Sequence, residues 1–371
     1  MNNWREHFNM PDGSYLLTHS AGCQPIKVAG AIDDAYLQPW RNLGGDAWPK
    51  WMDAIERFNQ NLAALLNGQA DEFCPQVNLS SGLSKFIGSM PRRPERDVIV
   101  LSELDFPSIG FVAQQAERDG YRLRYINSDK SLTDPGVWAE QLDENVQLVM
   151  VTHALSNDSR CLPVAEITRE ARSRGIYSAV DIAQSVGVIP INLTQWTADF
   201  VYGSCLKWLC GGPGAGFCWI SNDTIKQFEP KDVGWFSHVE PFEFDIHHFN
   251  YASSAQRFMG GTPSIAPFAC ATVGLELLIK IGVQTVAAHN NALLTQLWRE
   301  IPSQVIVSPD ANSPRGGTVV IKVPMREKFI AALTDAKIWC DERNTGFRFS
   351  PHIYSNAEDI EQLTRCVHAA L

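Results

Sequence analysis

The sequence predicts an α/β protein in two lobes, and three observations predict it. A chain of 371 residues is too long for a module held by disulfides and long enough for one large domain with a smaller companion. From about Asp97 to Ile220 a short β-rich apolar run is repeatedly followed by a helical pattern, the rhythm of a sheet covered by helices. Hydrophobic residues make up 45% of the total and charged residues 19%, a composition that supplies a packed core.

The expected strands are Val98 to Leu101, Tyr121 to Ile126, Leu148 to Val151, Tyr177 to Val180, Phe200 to Tyr202 and Phe217 to Ile220, apolar enough to be buried on both faces. Between them Pro107 to Arg118, Pro135 to Leu142 and Pro163 to Arg174 read as helices, each with proline in the first turn, where its missing N–H costs nothing. Gly234 to Met259, rich in proline and aromatic residues, reads as an irregular bridge between the lobes. Helices are expected near Pro267 to Ile281 and Ala287 to Glu300, then short strands around Thr318 to Val323 and Phe347 to Ser350, and a terminal helix. There is no internal repeat or low-complexity tract.

Charge and cysteine usage narrow the function. Against 31 Lys and Arg stand 41 Asp and Glu, so a net charge of −10 repels nucleic acid and anionic membranes, and neither is an expected partner. The opening Met-Asn-Asn-Trp-Arg-Glu-His lacks the pattern of a secretion signal, and the apolar stretch from Ile265 to Val283 carries Glu276, Lys280, Pro267 and Gly274. With nine cysteines and no C-x-x-C pair, the expectation is a cytoplasmic protein without structural zinc. His238, His247 and His248 fit no usual zinc spacing, so no metal is expected.

Ligands of open α/β sheets gather at the carboxyl ends of the strands. Lys207, in Cys205-Leu-Lys-Trp-Leu-Cys210, follows such a strand among apolar residues. Desolvation there would depress its pKa and suit a Schiff-base lysine, unless the stem packs and the amine reaches water. Asp181 ends another run and could face the same ligand. A buried carboxylate needs a cation, and the ring nitrogen of pyridoxal phosphate is one, although an Asp here also suits a helix cap. Gln184 can donate to a phenolate oxygen or solvate a helix face. Ser80-Ser81-Gly82, at a helix start, can cradle a phosphate or simply cap the helix. Phe106 can stack on a flat ring or fill core, and Arg348, between Phe347 and Phe349, can fork a carboxylate or form a surface ion pair. Gly211-Gly-Pro-Gly-Ala-Gly216 is not the dinucleotide fingerprint, and no Walker loop is present.

Taken as an ordered set, Asp181-Ile-Ala-Gln184, Asp199-Phe-Val-Tyr-Gly-Ser-Cys-Leu-Lys207 and Gly211-Gly-Pro-Gly214 resemble the class V aminotransferase branch of the pyridoxal phosphate enzymes. Phe106-Pro-Ser108, Gly234-Trp-Phe-Ser-His238, Gly261-Thr262-Pro263 and Gly346 to Tyr354 resemble its kynureninase-like members, so the likeness runs from about Tyr15 to the end. The resemblance implies fold type I, a large domain with a mixed, mostly parallel sheet and a smaller α+β domain. The expected boundaries are 16–245 for the large domain, with 1–15 and 246–371 for the small one.

It further implies pyridoxal 5'-phosphate as cofactor, a small amino acid as substrate and a homodimer. Lys207 would anchor the cofactor covalently and Asp181 would hold its ring nitrogen. Gln184 and Asn157 would reach its phenolate oxygen, with Phe106 stacked on the ring. Ser80, Ser81 and Ser204 would hold the phosphate, together with Thr262 of a neighbouring subunit, and Arg348 would hold the substrate carboxylate. Two departures stand out: Leu206 replaces the tyrosine that kynureninases carry before the lysine, and Gln184 replaces their histidine. The favoured expectation is therefore an aminotransferase. Kynureninase-type hydrolysis of a carbon–carbon bond, desulfuration through a cysteine such as Cys340, and a non-catalytic binding protein are the alternatives.

Overall fold

The structure, a computed structural model, describes residues 4–310 and 313–371. Seven strands form the central sheet: β1 (Phe73–Gln76), β2 (Val98–Ser102), β3 (Arg122–Ile126), β4 (Val146–Thr152), β5 (Tyr177–Asp181), β6 (Phe200–Ser204) and β7 (Gly216–Ile220). Their order is β1-β7-β6-β5-β4-β2-β3. Only β7 runs against its neighbours; β6, β5, β4, β2 and β3 are parallel.

Strand alternation builds two cores. Val100, Val149, Val151, Val180, Val201 and Phe217 enter one cluster, while Ile99, Leu101, Met150, Ala179, Phe200 and Cys218 enter the other. Each fully buried aliphatic side chain of this kind contributes about 1.5–3 kcal/mol. The outer strand β3 departs from the expectation of burial on both faces: Arg122 and Tyr125 are exposed, because β3 has a neighbour on one side only. The region 135–142 also differs, with a helix over Pro135–Ala139 followed by turn, since Pro135 starts it but nothing extends it.

Three helices follow in the first half of the chain, and the last two of them border the site. α1 (Trp48–Leu66) packs Ile55, Phe58, Leu62 and Leu66 into the first core. α2 (Leu79–Ser89) starts at Asn78, whose side chain accepts the Ser81 N–H at 2.9 Å. α3 (Pro107–Ala116) starts with Pro107 directly after β2 and its turn. Further on, α4 (Val164–Ser173) covers β5, and α5 (Ala266–Ile281) packs against α1. Phe268, Ala271, Leu275 and Leu278 of α5 therefore belong to the first core, although the sequence places this helix in the small domain.

The remaining residues build a third core. α6 (Val283–Glu300), β8 (Val319–Ile321), α7 (Arg326–Asp335), β9 (Asp341–Arg343), β10 (Gly346–Phe349) and α8 (Ala357–Ala369) surround Leu297, Ile321, Phe329, Phe349 and Leu363. The sheet order is β8-β10-β9, all antiparallel. Ser14–Tyr15 pairs in parallel with Ile338–Trp339, tying the N-terminal segment to this part. Among the described residues no single helix is long and apolar enough to cross a membrane.

Candidate active site

Four parallel strands end together: β2 at Ser102, β4 at Thr152, β5 at Asp181 and β6 at Ser204. Thr152 lies opposite Asp181, and Asp181 opposite Tyr202, so three side chains form a row across the strand ends. Above it opens a cavity of about 280 Å³. Ser80, Phe106, Asp181, Gln184, Ser204 and Lys207 all line it. Six residues chosen from distant parts of the sequence thus converge at one strand edge.

Lys207 is held by its backbone. Gly22 N–H donates to the Leu206 carbonyl at 2.9 Å, and any Cβ at Gly22 would collide with the Lys207 carbonyl oxygen, so only glycine permits this approach. Lys207 is partly exposed and lines the cavity, with its amine 5.7 Å from the centroid of the Phe106 ring. Burial lowers its pKa to about 8; Asp181 pulls it back up, while Arg348 and Arg343 push it down.

Asp181 accepts the Ala183 N–H at 2.7 Å through one oxygen, and its other oxygen accepts no hydrogen bond among the described residues. Burial raises its pKa, opposed by that N–H and by Lys207. The Gln184 amide is oriented by two partners. Its oxygen accepts the Trp208 indole N–H at 3.2 Å and its nitrogen donates to the His19 carbonyl at 3.1 Å, leaving one N–H for a ligand.

The other four expected residues lie off the cavity. Ser81 uses its backbone N–H in the α2 cap, and it lines the neighbouring hollow beside Lys85. The Asn157 carbonyl accepts the Thr345 hydroxyl at 2.9 Å. Thr262 is exposed and accepts the Trp235 indole N–H at 3.2 Å. Arg348 is 2% exposed and grips Asp341 with Nε and Nη2, while Nη1 donates to the Ser156 carbonyl at 3.1 Å. Asp341 also bonds the His19 imidazole at 2.9 Å. Burial lowers the His19 pKa to about 4, so this ring is neutral near pH 7.

Sequence reasoning missed Thr152, Tyr202 and Asp105. The Thr152 hydroxyl donates to Asp105 at 2.5 Å, and the buried Tyr202 hydroxyl has no partner among the described residues. Burial raises the Asp105 pKa to about 7, and Asp181 adds to the rise. The signal was present, since Thr152 is the last residue of its strand just as Asp181 is of the next.

The model of the Aminotransferase class-V family matches residues 49–363. The chain belongs to this family. Among curated relatives of the class V enzyme, kynureninases from Pseudomonas fluorescens and Burkholderia mallei are each 27% identical over 378 residues, covering 96% of this chain and 89% of theirs. The apo cysteine desulfurase from Thermococcus onnurineus superposes with a TM-score of 0.84 at 21% identity, over 95% of this chain and 93% of that one. A C-DES variant with glycine covalently linked to its PLP cofactor superposes with a TM-score of 0.87 at 22% identity, over 98% of both proteins. The fold is that of the fold type I enzymes, and the cofactor is pyridoxal 5'-phosphate. The residues fit it: a buried carboxylate has a spare oxygen facing a ring-sized cavity, an aromatic ring and a lysine flank that cavity, and a capped helix start lies at its edge.

Proposed function

We propose that this pyridoxal-phosphate enzyme transfers the amino group of a small α-amino acid, an aminotransferase reaction. The carrying observation is Lys207. Its amine makes no hydrogen bond or ion pair among the described residues, titrates at about 8, and is preceded in the sequence by apolar Leu206. An amine so placed would take a proton from the substrate Cα and return it to the cofactor's aldehyde carbon, on the far side of the amino nitrogen. When bound, the cofactor supplies the electron sink for the bond broken at Cα.

In this reading Lys207 anchors the cofactor and Asp181 holds its ring nitrogen through the spare oxygen. Gln184 directs its free N–H at the phenolate oxygen, and Asn157 is assigned to the same oxygen. Phe106 covers the ring, and Ser80, Ser81 and Ser204 serve the phosphate. Arg348 uses three of its five N–H groups on Asp341 and Ser156, so two remain for a substrate carboxylate. Thr262 serves the phosphate of a second copy, which makes the enzyme a homodimer. We take 16–245 as the cofactor-binding domain, with the carboxylate-binding arginine in the smaller one.

A second reading, kynureninase-type hydrolysis of a carbon–carbon bond beyond the substrate Cα, is favoured by the 27% identity to kynureninases across 96% of this protein. Desulfuration is supported less: burial pushes the Cys340 thiol up to about 12, with Asp341, Cys366 and Glu342 adding, and a thiol so raised is a poor nucleophile. Incubating the holoenzyme with single amino acids, kynurenine and cysteine included, separates these. Release of a keto acid with conversion of the cofactor to its amine form supports transamination. Alanine from kynurenine supports hydrolysis instead, and sulfide supports desulfuration. A colourless protein unaffected by borohydride would support a non-catalytic binding role.

A further inference from the structure

We propose that Arg343 receives a second anionic group on the substrate, so that the amino donor is an acidic α-amino acid bearing a second carboxylate. The inference rests on the aminotransferase reading above and names its substrate class. On β9 Asp341 lies opposite Arg348 of β10, and Arg343 lies opposite Gly346. Residues two apart on a strand share a face, so Asp341 and Arg343 project from the side that carries Arg348.

The two guanidinium groups are used differently. Arg348 is fixed by Asp341 and Ser156. Arg343 is half-buried and makes no hydrogen bond or ion pair among the described residues; its Cζ lies 5.6 Å from the centroid of the Phe106 ring. That ring lines the cavity and has the Lys207 amine 5.7 Å from its centroid. On the proposed assignment of the α-carboxylate to Arg348, a donor with its Cα at Lys207 has a second arginine beside Phe106 for its far end.

Charge points the same way. Asp341 is committed to Arg348 and His19, and Asp181 stands at the strand ends, where it lines the cavity. With His19 neutral and Lys207 taken up by the cofactor in this reading, Arg343 is left beside Phe106 as a cation without a bonded anion among the described residues. A ring contact of this kind supplies about 0.5–1 kcal/mol, well short of charge-assisted hydrogen bonds to a carboxylate. A neutral amide there would leave those donors partly unpaired, so the geometry selects acid over amide.

The test compares kcat/KM of the holoenzyme for aspartate and glutamate against asparagine and glutamine, in the wild type, Arg343→Gln and Arg343→Lys. The acid-to-amide ratio should exceed one in the wild type, fall by about 30-fold in Arg343→Gln and recover in part in Arg343→Lys. Calorimetry gives a second readout, because succinate should bind apoprotein more tightly than butyrate and lose that advantage in Arg343→Gln. A wild type that prefers amides, or a Gln variant that leaves the ratio and the succinate preference unchanged, would overturn the assignment while leaving transamination intact. If no amino acid is processed, the functional reading fails and the succinate comparison still decides the role of Arg343.

Discussion

Lys207 and Asp181 line one cavity and influence each other electrostatically, yet no ion pair joins them among the described residues. The lysine therefore stays below its ordinary range because burial outweighs the attraction of Asp181. Replacing Asp181 by Asn removes the influence that raises the amine's pKa, so its midpoint should move below about 8. The pH dependence of reductive methylation of Lys207 in apoprotein reads this directly, and an upward shift would contradict it. Asp105 behaves in the opposite sense to an exposed acid. Its folded pKa near 7 exceeds the ordinary 3.8, so its neutral form contributes stability that is complete below 3.8 and lost as pH rises through 7. Buried His153 and His352, held near 4 and 3, contribute in the other direction, losing stability as pH falls below 6.5. The informative quantity is thus the difference between wild type and Asp105→Asn in urea midpoint. The wild type should lose more than the variant between pH 5 and pH 7.5, at ~1.4 kcal/mol per unit of pKa difference.

At the scale of elements, the start of α2 joins stability to ligand binding. Asn78 both caps the helix and lines the cavity, so its replacement by Ala should cost about 1 kcal/mol in unfolding free energy. Asn78→Asp keeps the cap but places a negative charge where the phosphate is proposed to sit. It should hold its melting temperature while losing cofactor on dialysis, and equal cofactor retention by wild type and this variant would argue against a phosphate there. The elements legible in the sequence were those whose burial is simple. β4, β5 and β7 are buried along their whole length because helices cover both faces, and α3 announces itself with Pro107. β1 was not legible: Phe-Cys-Pro-Gln contains a proline, tolerated because the strand has a neighbour on one side only. α1 carries a clear stripe at Ile55, Phe58, Leu62 and Leu66, but its partner α5 lies roughly two hundred residues further along, so its place in the first core was hidden. The site divides similarly. Lys207, Asp181 and Phe106 stand at or just past strand ends, whereas the Asp341–Arg348 grip and the uncommitted Arg343 depend on a register that only the folded sheet defines.

For the whole molecule, the unusual surface lies on the bridge between Gly234 and Met259. Ile246 is 91% exposed and Phe244 72% exposed, with Val239, Phe242 and Phe249 also open to solvent. Trp48, Trp235 and Phe236 cluster beneath them, and the indole of Trp235 donates to Thr262, which sits off the cavity of its own subunit. A contiguous apolar patch of this kind marks an interaction surface, and a net charge of −10 keeps it from associating indiscriminately. If the patch meets a second copy, the hydroxyl of Thr262 is carried towards the neighbour's phosphate end, and assembly and cofactor retention become one property. Phe244→Ser combined with Ile246→Ser removes the two most exposed large apolar side chains among the described residues without touching any of the three cores. Sedimentation should show the wild type as a dimer and the double variant shifted to monomer, with faster loss of cofactor on dialysis. Thr262→Ala should remain dimeric and still lose cofactor faster, which separates the hydroxyl from the interface. A wild-type monomer that keeps its cofactor fully bound would refute the shared site.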